Sequence, residues 1–280
     1  MSFSLVDRIT TFEAGRSARG LVNLPDDPAA LPPCLLVEAV GQLAAWVAIH
    51  SNDFASRPVA AMAGEVVMRA DAIPGTPVDL EIEITSSKRA AIGYRGRARQ
   101  AGVLLLELER AVGVLLPMQE LDDPDRVRAE LDRLRSDGFA GRVRPRPDEL
   151  RPPRTLLDRS ADRLRVEIRA PEDTAVYADH FPRRPVYPAT LLLDAQLALA
   201  TELVADGASG APPRLVRVRN VKVRSFTPPG GRLEVVVEKV DAITEGGSSG
   251  APGRTVVSLT ATAGDERVST ALADLETTAR

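Results

Sequence analysis

The chain carries two copies of one unit, and this duplication constrains its fold more than any other feature of the sequence. Residues 32–39 read Pro-Pro-Cys-Leu-Leu-Val-Glu-Ala, and residues 188–195 read Pro-Ala-Thr-Leu-Leu-Leu-Asp-Ala. Residues 68–75 match residues 223–230 at a similar offset of about 150 residues. A period of this length is too long for a solenoid. The sequence therefore predicts two similar domains that pack as a pseudo-dimer inside one chain.

The composition agrees with two packed cores and excludes several other classes of protein. The chain has 280 residues, of which 44% are hydrophobic, enough for two cores of ordinary domain size. Its formal net charge of -3 gives no reason to expect a nucleic-acid partner. Cys34 is the single cysteine, so no internal disulfide is possible and a cytoplasmic location is expected. Polar residues interrupt the longest apolar stretches, and no signal peptide or membrane span is expected.

Both halves show the same order of predicted elements: an extended segment, a Pro-rich loop, one helix and a run of strands. The two helices are predicted at residues 34–49 and 190–204, and both are apolar nearly all round, so both should be buried. Strands are predicted at residues 78–86, 91–100, 103–116, 215–226, 232–240, 255–263 and 267–276. This order predicts an α+β fold in which each half is an antiparallel sheet wrapped around one long buried helix.

The predicted domain organisation has three parts, which are residues 1–118, 119–149 and 150–280. In the linker, the Asp residues before Pro124 are expected to cap a short polar helix at residues 125–134. The stretch at residues 142–154 is rich in Pro and Arg, which is typical of an extended connector. Residues 245–250 are rich in Gly and Ser and are predicted to form a flexible loop of the second half. Neither the linker nor this loop is expected to take part in catalysis.

A motif in the second half resembles that of a known enzyme family. Residues 180–188 read His-Phe-Pro-Arg-Arg-Pro-Val-Tyr-Pro, Asp194 lies 14 residues after the histidine, and a strand-and-turn pattern follows at residues 218–230. This pattern resembles the β-hydroxyacyl-ACP dehydratase family of hotdog-fold proteins. The tandem arrangement is similar to the double-hotdog dehydratase domains of polyketide and polyunsaturated fatty-acid synthases.

The resemblance implies a double hotdog that converts 3-hydroxyacyl thioesters to 2-enoyl thioesters in fatty-acid or polyketide-type biosynthesis. It implies no metal and no cofactor other than the phosphopantetheine of the substrate's carrier, which is an acyl carrier protein or CoA. The partners expected are therefore that carrier and no nucleic acid or membrane. A further homodimer of the whole chain is left open.

The two copies have kept different parts of the family's active site. In this family a site takes its histidine from one hotdog and its acid from the central helix of the other. The second half supplies His180, whereas Leu24 stands at the corresponding position of the first half. The first half supplies Glu38 and, four residues later, Gln42. The second half has Asp194, but Ala198 stands four residues later, where the glutamine would be. The resemblance thus implies one complete site, His180 with Glu38, and one inactive site, Leu24 with Asp194.

The chemistry of dehydration explains why these residue types are needed. A base must remove the α-proton, and a histidine with a pKa of about 6.5 is neutral often enough, so His180 is the expected base. An acid must protonate the departing hydroxyl, and burial raises the pKa of a carboxyl, so Glu38 is the expected acid. Gln42 lies on the same helix face and is expected to orient that carboxyl. The Ala189 N–H is expected to stabilise the enolate, and Val186 is assigned to substrate binding.

Other residues have less specific interpretations. Arg183 and Arg184 replace the family's Gly-containing stretch, and they are expected either to narrow the entrance or to contact an acidic carrier or its phosphate. Cys34 is expected to be a buried packing residue rather than a nucleophile. His50 is expected just past the first helix, at the surface or as a cap.

Two functions from other classes stay open on the sequence alone. A hotdog thioesterase would use a carboxylate to activate water and would release a free acid instead of an enoyl product. A non-catalytic double hotdog would bind acyl chains or act as a scaffold, and it would lack room for substrate beside His180. The acyl chain length, the hydroxyl stereochemistry and the carrier are also open.

Overall fold

The structure is a computed structural model that describes residues 3–26, 33–139, 151–172, 175–205, 212–240 and 253–277. The helices are α1 (Pro33–Ser51), α2 (Met118–Leu121), α3 (Pro124–Arg135) and α4 (Ala189–Ala205). The strands of the first half are β1 (Arg8–Glu13), β2 (Ser17–Val22), β3 (Ser56–Met68), β4 (Val78–Lys88), β5 (Ala91–Gln100) and β6 (Val103–Pro117). Those of the second half are β7 (Arg154–Arg159), β8 (Arg163–Arg169), β9 (Arg214–Val223), β10 (Arg232–Val240), β11 (Arg254–Ala263) and β12 (Glu266–Glu276).

The strands form one 12-stranded sheet in which the two halves meet at the centre. The strand order is β1-β2-β4-β5-β6-β3-β9-β12-β11-β10-β8-β7, so the order in the second half mirrors that in the first. The halves join where β3 pairs antiparallel with β9, with Ala63 opposite Val221. Each half-sheet encloses one long helix, and the two helices contact each other. The predicted double hotdog is therefore confirmed, and its two sheets are joined edge to edge.

Helix α1 is the core of the first half. Eleven of its 19 residues are buried, including Leu43 and Val47, and they pack against strands β2 to β5. By length and composition alone this helix could cross a membrane, but its buried surface packs inside the sheet of its own half. Helix α4 has the same relation to β10 and β11. Both helices extend one or two residues beyond their predicted limits, because the apolar pattern does not mark the frayed ends.

Strand β3 was not among the strands predicted from the sequence, although its counterpart β9 was. Strand β4, by contrast, begins with strict alternation of buried and exposed positions. Residues of β3 are mostly half-buried on both faces, and the strand is rich in Ala. It pairs with β6 on one side and with β9 on the other, across the boundary between the halves. Since both faces are partly covered, burial imposes no alternation that the sequence could display.

The segment between the halves packs closely against the first half. Helix α3 matches the predicted polar helix, and Asp123 caps it by accepting hydrogen bonds from the N–H groups of its first turn. Its buried residues Val127, Leu131 and Leu134 form its inner face, and α3 lies against β1. The predicted connector was wrong at its end, because β7 begins at Arg154.

Most of the predicted connector and the Gly- and Ser-rich loop at residues 245–250 lie outside the described residues. The division into residues 1–118, 119–149 and 150–280 stays a prediction.

Candidate active site

A tunnel runs along one face of α1 at the boundary between the halves. The α1 residues that line it recur at helical spacing, from Glu38 to Ile49, and are Glu38, Gly41, Gln42, Ala45, Trp46 and Ile49, with Val37 beside them. At 1.5 Å per residue, this face is about 16 Å long. Residues of β3 and β9 and the segment that begins at Asp179 line the opposite side. The tunnel is therefore built from both halves, and its walls beyond the polar groups near Glu38 are mainly apolar.

The structure brings the five residues singled out from the sequence to this tunnel. His180, Glu38, Gln42, Val186 and Ala189 all line it. The histidine comes from the loop before α4 in the second half, and the carboxyl comes from α1 in the first. The cross-half arrangement implied by the family resemblance is thus present, while the role of each residue stays a proposal.

The imidazole of His180 is held by contacts on several sides. The Nδ1 atom lies 3.3 Å from the carbonyl oxygen of Val186. Because a carbonyl can only accept, Nδ1 carries the proton in this contact and Nε2 keeps its lone pair. The ring stacks on Phe181 with 4.2 Å between centroids and meets the edge of Phe3 at 5.4 Å. The side chain is therefore presented in the tautomer that can accept a proton at Nε2.

His180 is neutral because of its surroundings. Burial, and after it the positive charge of Arg57, lower the pKa of its imidazole to about 3, against hydrogen bonds that raise it. The expectation of an ordinary histidine pKa was therefore wrong. The neutral ring persists over the whole physiological range, although a base with so low a pKa is intrinsically weaker.

The carboxyl of Glu38 is held by one partner from each half. Oε1 accepts a hydrogen bond from Nε2 of Gln42 at 3.0 Å, and Oε2 lies 2.9 Å from Oγ1 of Thr190 on α4. Burial raises the pKa of Glu38, and the hydrogen bonds from Gln42 and Thr190 oppose that rise. When Glu38 is protonated, the proton belongs on Oε2, because an amide N–H cannot accept whereas a hydroxyl can.

The N-terminal segment fixes the orientation of Gln42. The N–H of Leu5 donates to Oε1 of Gln42 at 2.7 Å, and Nε2 of Gln42 donates to the carbonyl oxygen of Phe3 at 3.0 Å. These two contacts leave the amide in one orientation, in which one N–H of Nε2 bonds to Phe3 and the other is directed at Glu38. The N–H of Phe3 also donates to the Asp179 carboxylate at 3.1 Å, which ties the segment to the loop that carries His180.

The segment at residues 3–5 and the Thr190 hydroxyl were not identified from the sequence. Thr190 carried a weak signal, because a polar residue at the start of an otherwise apolar helix is available for a contact. Segment 3–5 carried none, since its role depends on main-chain groups that every residue possesses.

Ala189 is the first residue of α4, at the tunnel wall. The N–H groups in the first turn of a helix have no acceptor within that helix, and the helix dipole adds partial positive charge there. This location supports the expected role of the Ala189 N–H as a donor to a developing negative charge. Val186 contributes its carbonyl oxygen to the orientation of His180 as well as its side chain to the wall.

Leu24 and Asp194, the counterparts of His180 and Glu38, are both buried. Leu24 is buried in the core, and Asp194 forms an ion pair with Arg151 at 3.6 Å. Neither Leu24 nor Asp194 lines the tunnel. Where α1 has Gly41 three residues after its acid, α4 has the buried Leu197 three residues after Asp194. A leucine side chain fills the volume that a glycine leaves open.

The linker, which was not expected to take part in catalysis, contributes residues to the lining of the tunnel. Asp122, Arg126 and Glu130 line the mouth beside Asp179. The main-chain N–H of Arg183 donates to the carbonyl oxygen of Leu121 at 3.1 Å, so α2 holds the loop that follows His180.

The arginine pair after the motif and two isolated residues have defined environments. Nη2 of Arg183 donates to Oδ2 of Asp123 at 3.0 Å, and Nη1 of Arg184 lies 3.9 Å from Oε2 of Glu120. Both arginines therefore contact acids of the linker. Cys34 is buried, as expected. His50 lies inside α1 rather than past its end, half-buried at 5.1 Å from the Phe12 ring.

Sequence comparisons identify the family. The family model described as ApeI dehydratase matches residues 157–245, which include His180 and Asp194. The 3-hydroxyacyl-acyl-carrier-protein dehydratase FabZ of Clostridium botulinum (strain Okra / Type B1) is 34% identical over 120 residues, covering 38% of this chain and 82% of that relative. The FabZ of Methylobacterium nodulans (strain LMG 21967 / CNCM I-2342 / ORS 2060) is 30% identical over 129 residues, covering 41% and 79%.

The chain belongs to the hydroxyacyl dehydratase family of hotdog proteins.

Solved structures show how widely the fold of this dehydratase-family chain is shared. The dehydratase domain of PpsC from Mycobacterium tuberculosis, in complex with C12:1-CoA, aligns with a TM-score of 0.53 at 17% identity and covers 99% of both chains. A putative oleoyl thioesterase from Lactobacillus plantarum aligns with a TM-score of 0.61 at 11% identity, covering 94% of this chain and 97% of that one. At such identities the likeness establishes the double-hotdog fold and not the reaction.

Proposed function

We propose that the protein dehydrates 3-hydroxyacyl thioesters to 2-enoyl thioesters at the tunnel between its halves. One observation carries the proposal: a neutral His180 from the second half and a buried Glu38 from the first line the same tunnel. Membership of the hydroxyacyl dehydratase family supports the same reaction. The active-site roles below are part of this proposal.

The first step is removal of the α-proton. Nε2 of His180 accepts the proton from C2 of the acyl group, while Nδ1 keeps its own proton on the Val186 carbonyl oxygen. The electron pair of the C–H bond moves into the thioester, which becomes an enolate. The Ala189 N–H, at the N-terminus of α4, stabilises the negative charge that develops on the thioester oxygen.

The second step is loss of water. The electron pair of the enolate forms the C2–C3 double bond as the C3–O bond breaks, and Glu38 gives the departing hydroxyl its proton. Water, the enoyl thioester, a protonated His180 and an ionised Glu38 are the products. A proton then passes from His180 to Glu38 through water and restores the starting state. Gln42 and Thr190 stabilise the ionised carboxylate between these steps, because each can donate to one of its oxygens.

The tunnel accounts for an acyl thioester as substrate. The apolar face of α1 beyond Gln42 is suited to an acyl chain, and the polar end beside His180 is suited to the thioester. An acyl carrier protein or CoA carries the thioester in this proposal, within fatty-acid or polyketide-type biosynthesis in the cytoplasm. A reaction without metal or other cofactor and a further homodimer stay predictions.

The experiment that tests the proposal is mass spectrometry of a panel of 3-hydroxyacyl thioesters incubated with the protein. The panel varies acyl length, hydroxyl stereochemistry and carrier, and is repeated from the enoyl side to follow addition of water. Dehydration predicts loss of 18 mass units, the mass of water, with the thioester intact. Release of free acid would identify a thioesterase, and binding without either change would identify a scaffold. The space open beside His180 argues against the scaffold.

A further inference from the structure

The side chains of Arg57, Phe181 and His180 form a stack in the wall of the tunnel. The Arg57 guanidinium lies over the Phe181 ring at 5.0 Å from its centroid. On Phe181 the His180 ring is also stacked, with 4.2 Å between the two centroids, and the Phe226 ring meets Phe181 edge-on at 6.3 Å. Arg57 comes from the start of β3, so a residue of the first half bears on the histidine of the second half through one aromatic ring.

The linker between the halves, residues 119–149, anchors Arg57 through Asp122. Arg57 Nη1 lies 3.1 Å from Oδ2 of Asp122, whose side chain is 2% exposed. Arg126 binds the same carboxylate, with Nε 2.9 Å from Oδ1. A buried carboxylate held by two guanidinium groups has little freedom to move, and charge-assisted hydrogen bonds of this kind are stronger than neutral ones. The position of Arg57 is thus set by a segment that is outside both hotdogs.

We infer that Arg57 is a positioning residue for the proposed dehydration: anchored by Asp122 and stacked on Phe181, it keeps the His180 ring in place and holds a positive charge beside it. The inference rests on the proposed function for the reaction alone, because the protonation state of the His180 imidazole can be measured directly. It assigns the connector a part in setting the catalytic base.

Other charged groups around His180 would act in the opposite direction. Asp179 is its neighbour in sequence, Glu38 faces the tunnel from α1, and Asp122 and Glu130 face the mouth from the connector. Carboxylates near an imidazole favour its protonated form. Arg57 and Arg126 both bind Asp122, but Arg57 also lies over the Phe181 ring on which His180 stacks, so its charge is the one placed beside the imidazole.

The electrostatic effect has a defined sign. Burial is the main cause that lowers the pKa of His180, and the charge of Arg57 is the second. Loss of that charge should therefore raise the pKa of His180 toward the ordinary value without reaching it. A like charge at short range shifts a pKa by about one unit or more.

The chain offers a direct measurement, because it contains only two histidines. In protein labelled with ¹⁵N and ¹³C at histidine, the His50→Gln variant assigns the His180 signals. The wild-type ring should show the neutral Nδ1–H tautomer. As the pH is lowered, protonation of His180 in the Arg57→Met variant should begin about one pH unit higher than in wild type. Arg57→Lys keeps the charge and should restore the wild-type onset.

Two controls separate charge from packing. Arg128 lies over the Phe54 ring at 4.1 Å, a similar stack whose two residues do not line the tunnel, so Arg128→Met should leave the His180 titration unchanged. Asp122→Asn removes the anchor but not the charge of Arg57, and it should broaden the His180 signals with little change in onset. An unchanged onset in Arg57→Met with folded protein, or an equal shift in Arg128→Met, would overturn the inference.

Kinetics distinguish failure of this inference from failure of the proposed function. If the protein is a dehydratase, the acid limb of kcat/KM in Arg57→Met should move to higher pH together with the NMR onset. An NMR shift without any dehydration in wild type would leave the inference standing and refute the proposed function. Dehydration with an unmoved limb and onset would do the reverse.

Discussion

The acid of α1 and the acid of α4 hold equivalent places in the two halves, but only the first faces a tunnel. Glu38 is bonded by Gln42 and by Thr190 of the other half, with open space beside it. Asp194 is paired with Arg151 and is excluded from the tunnel. A homodimer of single hotdogs would carry two identical sites. Duplication within one chain allows each copy to keep only the parts that a single site needs.

The difference extends beyond the acids. The residue at the start of α4 that meets Glu38 is Thr190, whereas its counterpart at the start of α1 is Cys34. Burial raises the pKa of the Cys34 thiol, and the nearby Asp194 raises it further, so this thiol is a packing group and not a donor of comparable strength. We call the pair of Leu24 and Asp194, with the residues around it, the remnant. At the positions of the histidine, the glutamine, the hydroxyl and the glycine of the first site, the remnant has Leu24, Ala198, Cys34 and Leu197.

Removal of the proposed base should give the largest effect. His180→Ala should lower kcat/KM for dehydration by about 100- to 10,000-fold, because no other histidine faces the tunnel. His50→Gln is the matched control and should retain activity, since His50 packs on Phe12 away from the site. Steady-state kinetics and circular dichroism of both variants decide the point. Comparable losses in the two variants would mean that the site has been placed wrongly.

The two acids provide the sharpest comparison. Glu38→Gln keeps the size of the side chain but cannot donate a proton to a leaving group, so kcat/KM should fall by about 100- to 10,000-fold. Asp194→Asn makes the same change in the remnant and should leave most activity in place. If the Asp194 variant lost as much, the pairing of residues across the halves would be wrong.

The raised pKa of Glu38 predicts how activity depends on pH, and the Glu38→Gln variant tests this prediction. Burial raises the pKa of Glu38, so its carboxyl stays protonated above the ordinary range of a glutamic acid. Activity should be lost as the pH rises through that raised pKa, because the acid is then ionised. The residual activity of Glu38→Gln should lack this alkaline limb in a profile of kcat/KM against pH.

A change at Gly41 should close the open site in the way that the remnant is closed. A Cβ at this position would lie 3.2 Å from Oη of Tyr94, and a whole leucine would overfill the tunnel. Gly41→Leu should lower kcat/KM by roughly 5- to 150-fold, the equivalent of about 1–3 kcal/mol of overpacking, and more for long acyl chains than for short ones. Leu197→Gly in the remnant should create no activity. Equal kcat/KM for all chain lengths would show that acyl chains do not pass Gly41.

Loss of the cross-half hydroxyl should have the smallest effect. Thr190→Val removes one hydrogen bond to Glu38, worth about 0.5–1.5 kcal/mol, so kcat/KM should fall by about 2- to 12-fold. Thr201→Val is the control on the same helix, because the Thr201 hydroxyl bonds only to its own helix at Leu197. Kinetics near the pH optimum compare the two. A Thr201 variant as slow as the Thr190 variant would trace the loss to the helix and not to the carboxyl.

Much of the fold followed from patterns that survive in one dimension. The two buried helices, six of the seven predicted strands with little change, and the antiparallel wrapping came from apolar periodicity and from the repeat. The seventh, predicted at residues 215–226, ends at Val223 in the structure. Strand β3 escaped because it is half-covered on both faces. The pKa of His180 could not be predicted, since burial and the Arg57 charge arise only in the folded chain.

The residue pattern established that the chain is duplicated, that each half has one buried helix, and that the His180 motif and the Glu38–Gln42 pattern lie in different halves. What surrounds these residues is visible only in the folded chain: Thr190 meets Glu38 from 152 residues away, and segment 3–5 fixes Gln42 through main-chain groups. Local patterns record the period and the face of an element, because neighbours along the chain share its geometry. Contacts between distant segments have no period, so they appear only when the halves pack together.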